Sequence, residues 1–118
     1  MARIVLADDD ATTRAFIERA LKQDGHAVTL AQDGVEAFER LSQTPADVLV
    51  SDIEMPGLDG IELAKRALTQ QPELKVLLMS GYAEELERAR GLSGAQVATL
   101  AKPASLDAVK AAVRALIG

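Results

Sequence analysis

Acidic side chains close two apolar runs of this chain. Asp8, Asp9 and Asp10 follow Ile4-Val5-Leu6-Ala7, and Asp52 follows Val48-Leu49-Val50-Ser51. Two further runs end in a hydroxyl and a cation. Val76-Leu77-Leu78-Met79 leads to Ser80, and Val97-Ala98-Thr99-Leu100-Ala101 leads to Lys102-Pro103. Gathered in one place, these groups would carry an excess of negative charge. Two carboxylates ~4 Å apart repel by roughly 4 kcal/mol at an effective dielectric of about 20. Three carboxylates with one ammonium therefore require raised pKa values or a bound cation. Oxygen-only ligands select a hard ion, and a small, shallow site that keeps several waters favours Mg²⁺. A cation beside Lys102 would attract a phosphoryl group. A carboxylate touching that cation is placed to attack it, giving an acyl phosphate.

Whether these residues meet depends on the elements that carry them. Short apolar runs at 4–7, 27–31, 47–51, 75–80 and 96–101 alternate with amphipathic stretches at 11–24, 34–43, 60–70, 83–92 and 105–117. Five strand signals alternating with five helix signals predict a doubly wound, parallel α/β sheet. The first, third and fourth runs are continuously apolar, as strands buried on both faces should be; the second and fifth are mixed and suit edges. Edges at the second and fifth strands match the flavodoxin-like order 2-1-3-4-5, and such sheets bind ligands beyond the strands' carboxyl ends, where the order reverses. Here the reversal falls between the first and third strands. Asp8, Asp9 and Asp52 then line one crevice, with Ser80 and Lys102 approaching from the far side.

Neighbouring residues have plainer roles. Asp10 is expected to cap the first helix, and Gly57 and Gly60 to serve backbone geometry. His26 reads as a surface residue of a helix-to-strand turn, and Met55 and Met79 as packing residues. Arg88, Arg90 and their flanking glutamates read as a solvated helix face. The segment 84–93, beside Gly91 and Gly94, has the weakest apolar stripe and is expected to be the most mobile element.

Composition narrows the function. With 48% apolar residues, a chain of 118 residues buries a real core as one domain, expected to span 1–118 without an output domain. A net charge of -5 without a run of Lys or Arg argues against nucleic acid as a partner. The absence of Cys excludes disulfides, a thiol nucleophile and a zinc knuckle. A single His cannot build a His-based metal site. Neither a signal peptide nor an apolar run of membrane-spanning length is present, so a cytoplasmic domain with no membrane partner is expected.

Four segments taken together, IVLADDD, VLVSDIEMPGLDG, VLLMSGY and ATLAKP, resemble the receiver domain of two-component response regulators. The resemblance covers essentially the whole chain. It implies a phosphorylation-controlled switch, with Asp52 accepting a phosphoryl group from a histidine kinase or histidine phosphotransfer protein. It also implies Mg²⁺ held by Asp9, Asp52 and the backbone carbonyl of Glu54, with Asp8 acting nearby or through water. Lys102 would pair with the phosphoryl oxygens, Ser80 would hydrogen-bond to them, and the Lys102–Pro103 bond would be cis. Receivers catalyse their own phosphorylation and dephosphorylation without being conventional enzymes. Output would pass to a downstream protein through the fourth helix, fifth strand and fifth helix.

A narrower likeness joins MARIVLADDD and DIEMPGLDGIELAKRA to single-domain receivers of CpdR type, which implies control of ClpXP proteolysis and the cell cycle. Two positions depart from the family pattern. Thr99 stands where many receivers carry Tyr or Phe, and Ala104 where Phe is common, so an aromatic switch is missing. Glu54 and Tyr82 occupy the positions flanking the hydrolytic water, and the bulk of Tyr82 implies a long-lived phosphoryl group. Two other readings use the same residues. One is a receiver module excised from a hybrid histidine kinase. The other is a haloacid-dehalogenase-like phosphatase, since Asp8-Asp9-Asp10-Ala11-Thr12 satisfies its Asp-x-Asp-x-Thr signature with Asp8 as nucleophile.

Overall fold

Parallel pairing of the apolar runs builds the molecule. The computed structural model describes residues 2–92 and 96–118. Its strands are β1 (Arg3–Ala7), β2 (Ala27–Ala31), β3 (Val48–Asp52), β4 (Lys75–Ser80) and β5 (Val97–Ala101). Between and after them run α1 (Ala11–Gln23), α2 (Gly34–Gln43), α3 (Gly60–Gln70), α4 (Ala83–Arg90) and α5 (Leu106–Ile117). The sheet order is β2-β1-β3-β4-β5, and every neighbouring pair is parallel. The continuously apolar strands are interior and the mixed ones are edges, as both-face burial requires. No helix among the described residues is long and apolar enough to cross a membrane.

Successive strand residues point to opposite faces, so the sheet has two cores. On one face Val5, Leu49, Val76 and Leu78 pack with Leu41 of α2, Leu63 and Ala64 of α3 and Ala89 of α4. On the other, Leu6, Val50, Leu77 and Met79 pack with Ile17 and Leu21 of α1 and Val109 and Val113 of α5. Helix starts are fixed by short polar side chains. Asp10, Asp33, Asp59 and Ser105 each accept a backbone N–H in the first turn of α1, α2, α3 and α5. Helix α4 differs: it starts after Tyr82, whose side chain makes no capping bond, and it buries Ala89. That thin anchorage matches its weak apolar stripe; Ser93 and Gly94 of the same segment lie outside the described residues.

His26 departs from the surface role expected of it. Its ring is buried, and Nδ1 accepts the Ala2 backbone N–H at 3.0 Å. Asp24, 3.8 Å from the other ring nitrogen, is held in turn by Arg114 of α5 at 2.8 Å. The turn therefore pins the first residues of the chain to the last helix.

Two glycines shape the β3–α3 loop that follows Asp52. Gly57 has φ +79°, a conformation costly for a side chain. At Gly60 a Cβ would lie 2.3 Å from the Asp52 carbonyl oxygen and 2.8 Å from the Ile53 Cα, while its N–H donates to the Ile53 carbonyl at 2.8 Å. The start of α3 is thus set directly on the backbone of Asp52. Replacing Gly60 by Ala must push the two apart. Gly60→Ala is expected to cost about 1–3 kcal/mol in urea unfolding, the range for overpacking a close contact; an unchanged midpoint would refute this account of the loop.

Candidate functional site

Three chain-distant segments meet at the carboxyl edge of the sheet. Asp8 follows β1, and its N–H still donates to the Ala31 carbonyl of β2 at 3.2 Å, which carries the strand's order one residue further. Its carboxylate is 1% exposed. One oxygen accepts the Asp10 N–H at 2.9 Å and the other accepts from the Lys102 ammonium at 2.9 Å. Asp52 is the last residue of β3, 11% exposed at its side chain, with Oδ1 3.4 Å from the same ammonium. Asp9 is exposed at the rim. Carboxylate oxygens of Asp8, Asp9 and Asp52 all lie within 4.8 Å of one another.

Lys102 reaches this cluster from the far side because its own backbone is anchored. Its N–H donates to the Ser80 carbonyl at 2.8 Å, and the Lys102–Pro103 bond is cis. Glu54 lies two residues beyond Asp52 in the exposed loop. A cavity of about 530 Å³ opens beside Lys102, lined among others by Thr13, Phe16, Met79, Pro103 and Ala104 and by none of the three acids. Asp8, Asp9, Asp52 and Lys102 are thus brought together at this strand end, as expected.

Ser80 reaches the same strand end, but its hydroxyl is engaged elsewhere. Its Oγ accepts the Tyr82 N–H at 3.0 Å and donates its proton to the Glu85 carboxylate. Glu85 is half-buried, which corrects the reading of it as part of a solvated face. Its only signal in the sequence is an acid in the first helical turn after a strand-ending Ser. Arg14 was also missed: its guanidinium donates to the Asp8 carbonyl at 2.7 Å and steadies the backbone of the acidic turn. Thr99 lies mid-strand in β5 opposite Leu78, and Tyr82 is exposed.

Charge crowding shows in the ionisation of the cluster. Burial raises the Asp52 carboxyl to about 6; Lys102 opposes the shift, and the Asp8 and Asp9 charges add to it. For Lys102, burial favours the neutral amine, but the Asp8 hydrogen bond and the two carboxylate charges outweigh it and raise the ammonium's pKa. One cation thus leaves negative charge uncompensated. The donor set, carboxylate oxygens alone and clustered around one point, fits a hard divalent cation such as Mg²⁺.

Comparison with known proteins agrees with this geometry. A family model described as the response regulator receiver domain matches residues 4–114. The response regulator receiver protein CpdR of Brucella abortus is 46% identical over 83 residues, 70% of this chain and 69% of that protein. Response regulator MprA of Mycobacterium leprae is 36% identical over 98% of this chain, which spans 50% of MprA's length. The chemotaxis protein CheY4 of Vibrio cholerae shares the fold, with a TM-score of 0.87 at 23% identity over 98% of both chains. The signal receiver domain of NarL from Mycobacterium tuberculosis gives a TM-score of 0.83 at 29% identity, over 96% of this chain and 93% of that one. The family match sets the phosphatase alternative aside.

The raised Asp52 pKa has a sign that stability measurements read. The folded protein keeps the Asp52 proton up to about pH 6, whereas the unfolded chain releases it near the ordinary value of 3.8. This group's contribution to stability therefore falls as pH rises between those values and is flat above them. In EDTA, Asp52→Asn should be more stable than the parent by about 1–2 kcal/mol at pH 8, solvent access to the carboxylate limiting the effect. The advantage should shrink on acidification and vanish near pH 4. Equal urea midpoints at pH 8 would refute the charge-crowding account.

Proposed function

This chain belongs to the response regulator receiver domain family of two-component signalling, and from that membership we propose that Asp52 is its phosphoacceptor. The observation that carries the reading is the Lys102 ammonium, 2.9 Å from Asp8 and 3.4 Å from Asp52, with Asp9 beside them. In the proposed reaction an Asp52 oxygen attacks the phosphorus of a phosphohistidine. The phosphorus–nitrogen bond breaks, its electron pair stays on the imidazole, and the product is an aspartyl phosphate. The donor is a histidine kinase or histidine phosphotransfer protein in the cytoplasm.

Asp9, Asp52 and the backbone carbonyl of Glu54 would hold Mg²⁺, with Asp8 adjacent. When bound, that ion neutralises charge on the transferred group's oxygens. Lys102 pairs with those oxygens and relieves the repulsion between them and the carboxylates. The Ser80 hydroxyl donates a hydrogen bond to the arriving group. A carboxylate with a pKa of about 6 is mostly ionised above neutrality, as a nucleophile must be. Output leaves through the surface of α4, β5 and α5. The effector proposed, from the resemblance to receivers of CpdR type, is the ClpXP proteolytic system.

Intact mass after incubation with Mg²⁺ and acetyl phosphate tests the phosphoacceptor. The parent should gain one phosphoryl group, EDTA should prevent the gain, and Asp52→Ala should show none. Lys102→Ala should slow the reaction by roughly a hundredfold, the scale for removing one charge-stabilising donor. A gain that survives in Asp52→Ala but is lost in Asp8→Ala would overturn the assignment. The effector is tested separately with purified ClpXP, which should bind the phosphorylated and unphosphorylated forms with different affinities. No binding by either form would remove ClpXP from the reading.

A further inference from the structure

The Ser80 hydroxyl is buried and already fully committed. It has one O–H to donate, and that O–H points to the Glu85 carboxylate; one of its lone pairs receives the Tyr82 N–H at 3.0 Å. Ser80 stands next to Met79, which pairs with Asp52 across the sheet, and its carbonyl holds the Lys102 backbone. It therefore belongs to the same strand end as the phosphoacceptor, yet its donor faces α4.

We infer that Glu85 is a positioning residue that holds the Ser80 hydroxyl on α4 until an anion on Asp52 takes it. The inference rests on Asp52 being the phosphoacceptor. Phosphoryl oxygens only accept hydrogen bonds, as does the Glu85 carboxylate, so one hydroxyl proton serves one of them at a time. Arrival of the phosphoryl group trades Ser80–Glu85 for Ser80–phosphoryl. No covalent bond changes in the trade.

What the trade releases is the start of α4. Tyr82 at the helix start has no side-chain capping bond, so Ser80 supplies the polar ties there through the Tyr82 N–H and the Glu85 side chain. The helix is eight residues long and buries Ala89, and its Arg88 reaches Asp59 only as an exposed pair at 3.6 Å. Removing one of the Ser80 bonds therefore takes away one of two polar ties between β4 and this turn, leaving the backbone bonds to the Tyr82 carbonyl and the packing of Leu86. Coupling of this kind is reciprocal: whatever favours the released turn also favours the anion.

The test uses the full chain and beryllofluoride with Mg²⁺ as the phosphoryl mimic. Glu85→Ala should bind it about three- to tenfold more tightly than the parent, because a charge-assisted hydrogen bond no longer competes. Glu84→Ala, which removes the same charge one residue earlier, should bind like the parent. In a Ser80→Ala background the Glu85 substitution should have no effect on binding, since there is no hydroxyl to withhold. A Glu85 effect that persists in that background, or is matched by Glu84→Ala, would reduce Glu85 to bulk electrostatics and overturn the inference. Amide hydrogen exchange of residues 82–90 in the unliganded protein reads the tie without any phosphoryl chemistry. Ser80→Ala and Glu85→Ala should each accelerate it, and unchanged exchange in both would also overturn the inference. A parent that binds no beryllofluoride, with exchange accelerated as expected, would instead locate the failure in the phosphoacceptor reading.

Discussion

The ammonium of Lys102 is the interaction on which the site depends. Asp8 is buried at 1% exposure, and an unpaired buried carboxylate is among the costliest groups a fold can hold. Lys102 comes to it from 94 residues away in the chain. The sheet order makes the meeting possible only over distance, because β3 and β4 stand between the strands that carry the two residues. A long, flexible lysine stem bridges that gap, and its backbone is fixed by the Ser80 carbonyl at 2.8 Å. The buried acid, the fifth strand's position and the β4–β5 pairing are thus parts of one requirement.

The same ammonium is insufficient by itself. It faces Asp8 at 2.9 Å, Asp52 at 3.4 Å and the oxygens of Asp9 gathered with them, and the Asp52 pKa of about 6 records the imbalance. The fold tolerates that repulsion because the surrounding frame is firm. Gly60 seats α3 on the Asp52 backbone, Arg14 holds the Asp8 carbonyl, and the strands beneath are buried on both faces. Strain of this kind concentrates at functional sites and is offset by packing elsewhere. A cation or a proton on the cluster relieves it.

Much of this was legible in the residues. Continuous apolar runs against mixed ones separated interior strands from edges, and those edges match the flavodoxin-like order. Polar residues at the ends of four strands located the cluster, because strand ends in a parallel sheet share one edge. Partner choice was not legible. Ser80 has a small hydroxyl whose hydrogen bond depends on where the next helix begins, and Glu85 looks like any acid in a first turn. His26 is buried because Ala2 lies alongside β2, a long-range consequence of pairing that no local pattern carries. Arg14 reads as one charge on an amphipathic helix until the loop beneath it is folded. Periodicity specifies elements, but the bonds between their ends are set by tertiary geometry.

The two flanks of the site are unequally supported, and this asymmetry decides where a change in charge goes. On the Asp52 flank, β1 and β3 and the Gly60 contact leave no slack: a displacement there must open the core, at several kcal/mol for close-packed aliphatic side chains. On the Ser80 flank the neighbouring element is α4, with Ala89 buried and its start lacking a side-chain cap on Tyr82. Local opening free energies follow buried contact and backbone protection, so the α4 flank is the softer one. On the proposed reading, a group arriving between the flanks meets less resistance from α4 than from β3. Two constraints set the direction of the response, the softness of one helix and the single proton on the hydroxyl at its base.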